Sequence, residues 1–117
     1  MLATEHIDTA RRFLADADRE YESGDILQAS EKLWGAATHV VVAEMQKRDI
    51  DANGHRKIKG FVRELGEELE DPALFSFFKH AETLHVNFYH AFLSEENFEE
   101  HRELVRRFVE QMIESAS

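Results

Sequence analysis

The chain contains very few residues that stop a helix, with one proline and five glycines among 117 residues. Between these breaks, apolar residues recur at spacings of three and four, the period of an amphipathic helix. Helices are therefore predicted at about Thr4–Ser23, Ile26–Arg48, His55–Glu70 and Pro72–Leu93, with a fifth after Ser94. The connections are too short to divide the chain. We predict a single domain over residues 1–117, an all-α up-and-down bundle of five helices with short loops.

Charge and composition exclude several classes of protein. The 24 acidic and 14 basic side chains give a formal net charge of -10, which repels nucleic-acid phosphates unless positive charge is gathered locally. Apolar runs are far shorter than the roughly 20 residues that span a bilayer. There is no cysteine, which suits a reducing compartment. We expect a soluble cytoplasmic protein that binds neither DNA nor membranes and carries no cofactor.

Helix four has two apolar strips. The first faces the predicted core and contains Leu74, Phe77, Phe78, Ala81, Leu84, Phe88 and Phe92. The second lies on the far flank and contains Phe75, Val86, Tyr89 and Leu93. A helix with two apolar strips is either central in a bundle or shared with another subunit. With only five helices, the second strip predicts a homodimer interface.

The segment L-H-V-N-F-Y-H, Leu84 to His90, places two histidines in helix four. At 100° per residue, His85 falls at the rim of the core strip and His90 lies about 140° further round. His85 is either a rim histidine bonded to a neighbouring helix or a phosphate contact and proton donor. His90 is either an interface histidine or a general base. Asn87 lies off both strips, in water or at a ligand.

These two histidines do not form a metal site, because chelating pairs on one helix need a spacing of three or four. Glu82 and His85 have that spacing, but further inward carboxylates are lacking apart from Glu44. His101 is expected at the core rim or beside His85, and no role is expected for His80. We predict no metal.

Helix three begins with the basic residues His55, Arg56, Lys57, Lys59 and Arg63. Free N–H groups and basic side chains converge at such a helix start, which favours an anion. Lys57, Lys59 and Arg63, with Asn87 and Tyr89 of helix four, are therefore candidate phosphate or ligand contacts. The alternative is a solvated helix end whose cations pair with nearby acids. Two internal glycines, Gly60 and Gly66, are expected to allow close helix packing.

Three segments carry a family resemblance. They are G-D-I-L-Q-A-S-E-K-L-W-G-A-A from Gly24, H-R-K-I-K-G-F-V-R-E-L from His55 and L-H-V-N-F-Y-H from Leu84. In this order they resemble the archaeal PaREP family, which is placed in the HEPN superfamily of small helical bundles. The resemblance implies a HEPN-like bundle and a homodimer. Many HEPN proteins carry R-x4-6-H and cleave RNA without metal; here His85 stands where the arginine would be.

Two hypotheses follow for the function. The first is a homodimeric binding or interaction module, not an enzyme, with a groove near helix four for a protein partner, a nucleotide or RNA. The second is a metal-independent, toxin-type ribonuclease. It would use His85 and His90 as an H-x4-H variant of the superfamily motif, with Lys57 and Lys59 at the phosphate.

Overall fold

The computed structural model describes residues 2–116 and contains five α-helices. They are α1 (Ala3–Glu22), α2 (Ile26–Lys47), α3 (His55–Glu68), α4 (Ala73–His90) and α5 (Glu95–Ala116). No strand occurs within residues 2–116, so the predicted all-α bundle of five helices is confirmed. Within the same residues, no helix is both long and apolar enough to cross a membrane.

The second helix is the centre of the bundle, because it contacts all four of the others. Its buried face is small in the middle, with Ala36, Ala37 and Ala43 almost inaccessible to solvent. Small side chains let neighbouring helix axes approach closely. The helix begins at the predicted cap, where the Asp25 carboxylate accepts a hydrogen bond from the Gln28 N–H at 3.0 Å.

Three phenylalanines anchor the core, Phe78 of α4 with Phe98 and Phe108 of α5. All three are fully buried, and the Phe78 and Phe108 rings meet edge to face with centroids 6.0 Å apart. The inward faces that helical spacing predicts for α2 and α5 are buried. On α3 the same spacing predicts that Leu69 faces inward, but this residue follows the last turn of the helix and is 49% exposed. Burial of these faces supplies the main driving force for folding.

The fourth helix ends at His90 rather than near Leu93, so the predicted end is wrong. Ala91 adopts a left-handed conformation with φ of 50°. The Asn87 side-chain oxygen accepts hydrogen bonds from the Phe92 and Leu93 N–H groups, both at 2.9 Å. These N–H groups therefore bond to a side chain and do not continue the backbone hydrogen bonds of the helix. Phe92, predicted to face the core, is consequently exposed.

The two internal glycines of α3 differ in their surroundings. A Cβ atom on Gly66 would lie 3.2 Å from the Asp71 carbonyl oxygen, so the chain packs closely there and a side chain would force its neighbour to shift. A Cβ atom on Gly60 would meet nothing within 4 Å, and the residue is exposed. The packing explanation is therefore wrong for Gly60.

Candidate functional site

A cluster of rings lies where α2, α3 and α4 meet at the surface. The Trp34 indole of α2 stacks on the His85 imidazole of α4, with centroids 4.9 Å apart and planes 25° apart. The His55 imidazole of α3 lies 5.2 Å from the same indole. Phe78 supports the indole from the core, at 5.7 Å. The indole therefore joins two histidines that come from different helices.

Each of these two histidines is held by a carboxylate. His85 Nδ1 lies 2.8 Å from Glu31 Oε1, and His55 Nε2 lies 2.7 Å from Glu82 Oε2. Lys59 Nζ also contacts Glu82, at 3.1 Å. A carboxylate on one ring nitrogen fixes the orientation of an imidazole. Among residues 2–116, the second nitrogen of each ring has no hydrogen-bond partner and is left for another contact, as in acid–base sites.

The two histidines of the L-H-V-N-F-Y-H segment are not brought together within one chain. His85 lies at the rim of the core, as predicted, and bonds to helix two. His90 is exposed and makes no hydrogen bond or ion pair with any residue in the range 2–116. An H-x4-H site in a single subunit would need both imidazoles to reach the same phosphate.

Asn87 was expected in water or at a ligand, and that placement is wrong. Its side chain is 1% exposed. The side-chain nitrogen donates to Ser30 Oγ at 3.2 Å, and the side-chain oxygen accepts the two N–H groups after α4. The pattern of apolar strips missed this role because the residues beyond His90 leave the helix. Both polar atoms of the Asn87 side chain therefore bond within the fold.

The predicted phosphate contacts divide between two places. Lys59 and Arg63 line a shallow groove of about 480 Å³, which we call the basic groove; its other lining residues are His55, Arg56, Gly60 and Glu82. Lys57 instead pairs with Asp51, at 2.6 Å between Nζ and Oδ2. Of the three phosphate contacts predicted on α3, two therefore lie in the basic groove.

The predicted dimer strip also divides. Val86 and Tyr89 are 46% and 66% exposed, and Phe92 beyond the helix is 55% exposed. We call these three residues the apolar end of α4. Phe75 and Leu93 are only half-buried, and Phe75 is surrounded by basic side chains. Tyr89 links the apolar end to the ring cluster, since its ring meets His85 edge to face at 5.3 Å.

Two further pairs of histidines join helices elsewhere. His6 and His39 approach to 2.8 Å between their Nδ1 atoms, and so do His80 and His101. Burial lowers the pKa of His6, His39 and His101, and the neighbouring imidazole adds to the effect for His39 and His101. His101 therefore joins His80, for which no role was expected, rather than His85.

No metal centre is formed by the described part of the chain. Within residues 2–116, no group of three or more histidine, aspartate or glutamate side chains is arranged to hold an ion. Glu82 and His85 share a helix face, but Glu82 turns to His55 and His85 turns to Glu31. Helical spacing does not predict these partners, because they come from other helices.

A known crystal structure shares this fold. It is that of a protein from Sulfolobus solfataricus, which matches with a TM-score of 0.82 and 22% sequence identity. The match covers 93% of this chain and 97% of the other. No curated protein matches the sequence.

The sequence also matches a family model along most of its length. That model describes the archaeal PaREP1/PaREP8 family, and it matches residues 5–109. The match includes the ring cluster, the basic groove and the apolar end of α4. It confirms the resemblance found in the three sequence segments. The chain belongs to the archaeal PaREP1/PaREP8 family.

Proposed function

We propose that this protein is a homodimeric binding module whose subunits meet at the apolar end of α4 and whose ligand lies in the groove between α3 and α4. One observation carries the proposal. Three of the six exposed large hydrophobic residues in the described chain, Val86, Tyr89 and Phe92, are gathered at this one place. The lack of cysteine supports a cytoplasmic setting for the module.

The surroundings of the apolar end support a second copy as its partner. Residues 83–94 contain no aspartate, glutamate, lysine or arginine, in a chain of which 32% is charged. Depletion of charge is typical of the centre of a protein interface. Asn87 holds the turn that presents Phe92, so the surface is ordered before binding. A patch of this kind can pair with itself about a twofold axis.

Sedimentation equilibrium tests the dimer. We expect the wild-type protein to be a dimer and the Tyr89→Glu/Phe92→Glu variant to be a monomer with unchanged helical circular dichroism. Loss of a buried interface anchor costs about 2 kcal/mol or more, which is roughly a 30-fold weaker association. The control is Leu69→Glu, which charges an exposed apolar residue on another part of the surface. A monomeric wild-type protein would contradict the proposal, as would equal weakening by Leu69→Glu.

A metal-independent ribonuclease is the second candidate, supported by the two carboxylate-held histidines beside Trp34. In such a reaction a neutral imidazole takes the proton of the ribose 2′-hydroxyl, whose oxygen attacks phosphorus. A protonated imidazole gives its proton to the departing 5′-oxygen, which leaves a 2′,3′-cyclic phosphate. His85 fits one role. His90 fits the other role only from a second subunit, because the His85 and His90 side chains of one subunit point in directions about 140° apart around α4.

RNA cleavage with and without a chelator tests this candidate. Chelator-resistant cleavage by the wild-type protein is expected, together with its loss in His85→Ala/His90→Ala. His55→Ala distinguishes the two possible partners of His85, because His55 shares the Trp34 ring with it in one subunit. Absence of cleavage by the wild-type protein rejects the ribonuclease and leaves the binding module. Cleavage that survives in both variants rejects these histidines as catalytic residues.

A further inference from the structure

We infer that the basic groove binds the phosphoryl group of a small anionic ligand, with Arg56, Lys59 and Arg63 as its contacts. This inference rests on the proposed binding function and names the ligand class for its groove. It does not depend on the dimer. Phe75 beside the groove and Tyr89 at the apolar end lie on the same side of α4 but about 21 Å apart along the helix.

The charge of the groove is opposite to that of the protein. Arg56, Lys59 and Arg63 face one carboxylate, Glu82, so the lining carries a formal charge of +2 with His55 neutral. The whole chain carries -10. A concave surface of one sign within a field of the other attracts a compact ion of high charge rather than a long polyanion. A phosphoryl group fits that description.

Two of the three cations of the groove have no carboxylate partner in the described chain, and the third, Lys59, is paired with Glu82. Arg56, Arg63 and the nearby Lys79 have no carboxylate within 4.0 Å among residues 2–116. The same holds for Arg11, Arg12 and Lys32 elsewhere in the described chain, whereas Arg102 and Arg106 share a single aspartate, Asp18. Unpaired guanidinium groups keep their N–H donors free, and their planar fork matches two oxygens of a phosphate.

The Phe75 ring holds two cations of the groove, Lys59 and Arg63, together with the nearby Lys79. The Arg63 guanidinium carbon lies 4.5 Å from the ring centroid, and the Lys59 and Lys79 ammonium nitrogens each lie 5.9 Å from it. The negative face of an aromatic ring attracts cations, which offsets their mutual repulsion. The side chains are thus gathered before an anion arrives, so less conformational entropy is lost on binding.

Gly60 supplies the floor of the groove. It is exposed in the middle of α3, where glycine costs helix stability relative to alanine, and no neighbour requires it. The missing side chain leaves the backbone open to close approach by a ligand. The volume of about 480 Å³ falls in the usual range of roughly 300–1,000 Å³ for small-molecule sites. A phosphate ester of nucleotide size or smaller is therefore the ligand class.

Isothermal titration calorimetry with inorganic pyrophosphate, at constant ionic strength, tests the inference. The wild-type protein is expected to bind, and Arg56→Gln/Arg63→Gln to bind at least about 10-fold more weakly, because two charged donors are lost. The control is Arg107→Gln, which removes one cation of α5 that is paired with Glu103. No binding by the wild-type protein, or equal weakening by Arg107→Gln, would overturn the site.

A second pair of variants separates the site from general charge effects and from misfolding. Gly60→Glu places a carboxylate on the floor of the groove and should abolish binding. Gly60→Gln has nearly the same size without the charge and should bind more tightly than Gly60→Glu. Equal affinity of the two variants would overturn the inference. Adenosine monophosphate in place of pyrophosphate shows whether the site takes a phosphate ester as well as the bare ion.

Sedimentation of the same samples keeps this test separate from that of the dimer. A dimer that binds no pyrophosphate and no adenosine monophosphate overturns the ligand class and leaves the dimer standing. A monomer that binds pyrophosphate through Arg56 and Arg63 overturns the dimer and supports the groove.

Discussion

Phe78→Ala is expected to lower the free energy of unfolding by about 3–5 kcal/mol, the largest effect of any change considered for this protein. The Phe78 side chain is fully buried between two parts of the molecule. On the core side its ring meets Phe108 at 6.0 Å, and on the surface side it meets Trp34 at 5.7 Å. Alanine would leave a cavity under the ring cluster that the helices cannot fully close.

Urea denaturation measures this loss, and Trp34 reports it because it is the only tryptophan in the chain. The emission of Trp34 should also change in the folded Phe78→Ala variant, since the indole loses its support. Phe75→Ala is the matched control: the same side chain is removed from the same helix, at a half-buried position. Equal losses from the two variants would show that the Phe78 ring does not anchor the core.

Asn87→Ala is expected to lower the free energy of unfolding by about 2–4 kcal/mol. Three hydrogen bonds are lost, and the Phe92 and Leu93 N–H groups are left without their acceptor. Each such bond contributes about 0.5–1.5 kcal/mol, and a buried donor without a partner costs about 1–3 kcal/mol. The turn between α4 and α5 should loosen, and the apolar end of α4 should lose its fixed shape.

Ser30→Ala separates the parts of this effect. It removes the bond from the Asn87 nitrogen at 3.2 Å and the bond that the Ser30 hydroxyl donates to the Ile26 carbonyl at 2.8 Å, but leaves both bonds to the Asn87 oxygen. A loss of about 1–3 kcal/mol in the free energy of unfolding is expected. Hydrogen exchange of the Phe92 and Leu93 amides should accelerate in Asn87→Ala and remain slow in Ser30→Ala. If the amides stay protected in Asn87→Ala, the side-chain oxygen is not what ends the helix.

Helical period accounts for most of what could be predicted about the fold. The apolar stripes of α2, α3 and α5 depend only on the spacing of apolar residues within each helix, and this spacing can be taken directly from the sequence. The end of α4 was missed because the period continues through Phe92. A single asparagine competes for the backbone donors there, and its effect depends on Ser30 of another helix. Apolar spacing carries no information about such a bond.

The candidate site was predictable only within single helices. His85 was expected at the rim of the core, but its partners Glu31 and Trp34 come from α2. Lys57 and Lys59 are two positions apart and therefore point in directions about 160° apart on a helix, which sends one to Asp51 and the other to the groove. Both lysines meet a carboxylate, but which carboxylate lies beside each one depends on the tertiary packing.

The pairing of histidines affects how a mutational scan of this protein should be interpreted. Six of the seven histidines in the described chain make side-chain contacts between helices. The pairs are His6–His39, His80–His101, His55–Glu82 and His85–Glu31. Substitution of any of the six by alanine removes a hydrogen bond between two helices as well as the imidazole. Glutamine keeps a hydrogen-bonding group but has no imidazole. It therefore distinguishes a structural role of the hydrogen bond from a functional role of the imidazole at these positions. At His90, alanine alone is enough.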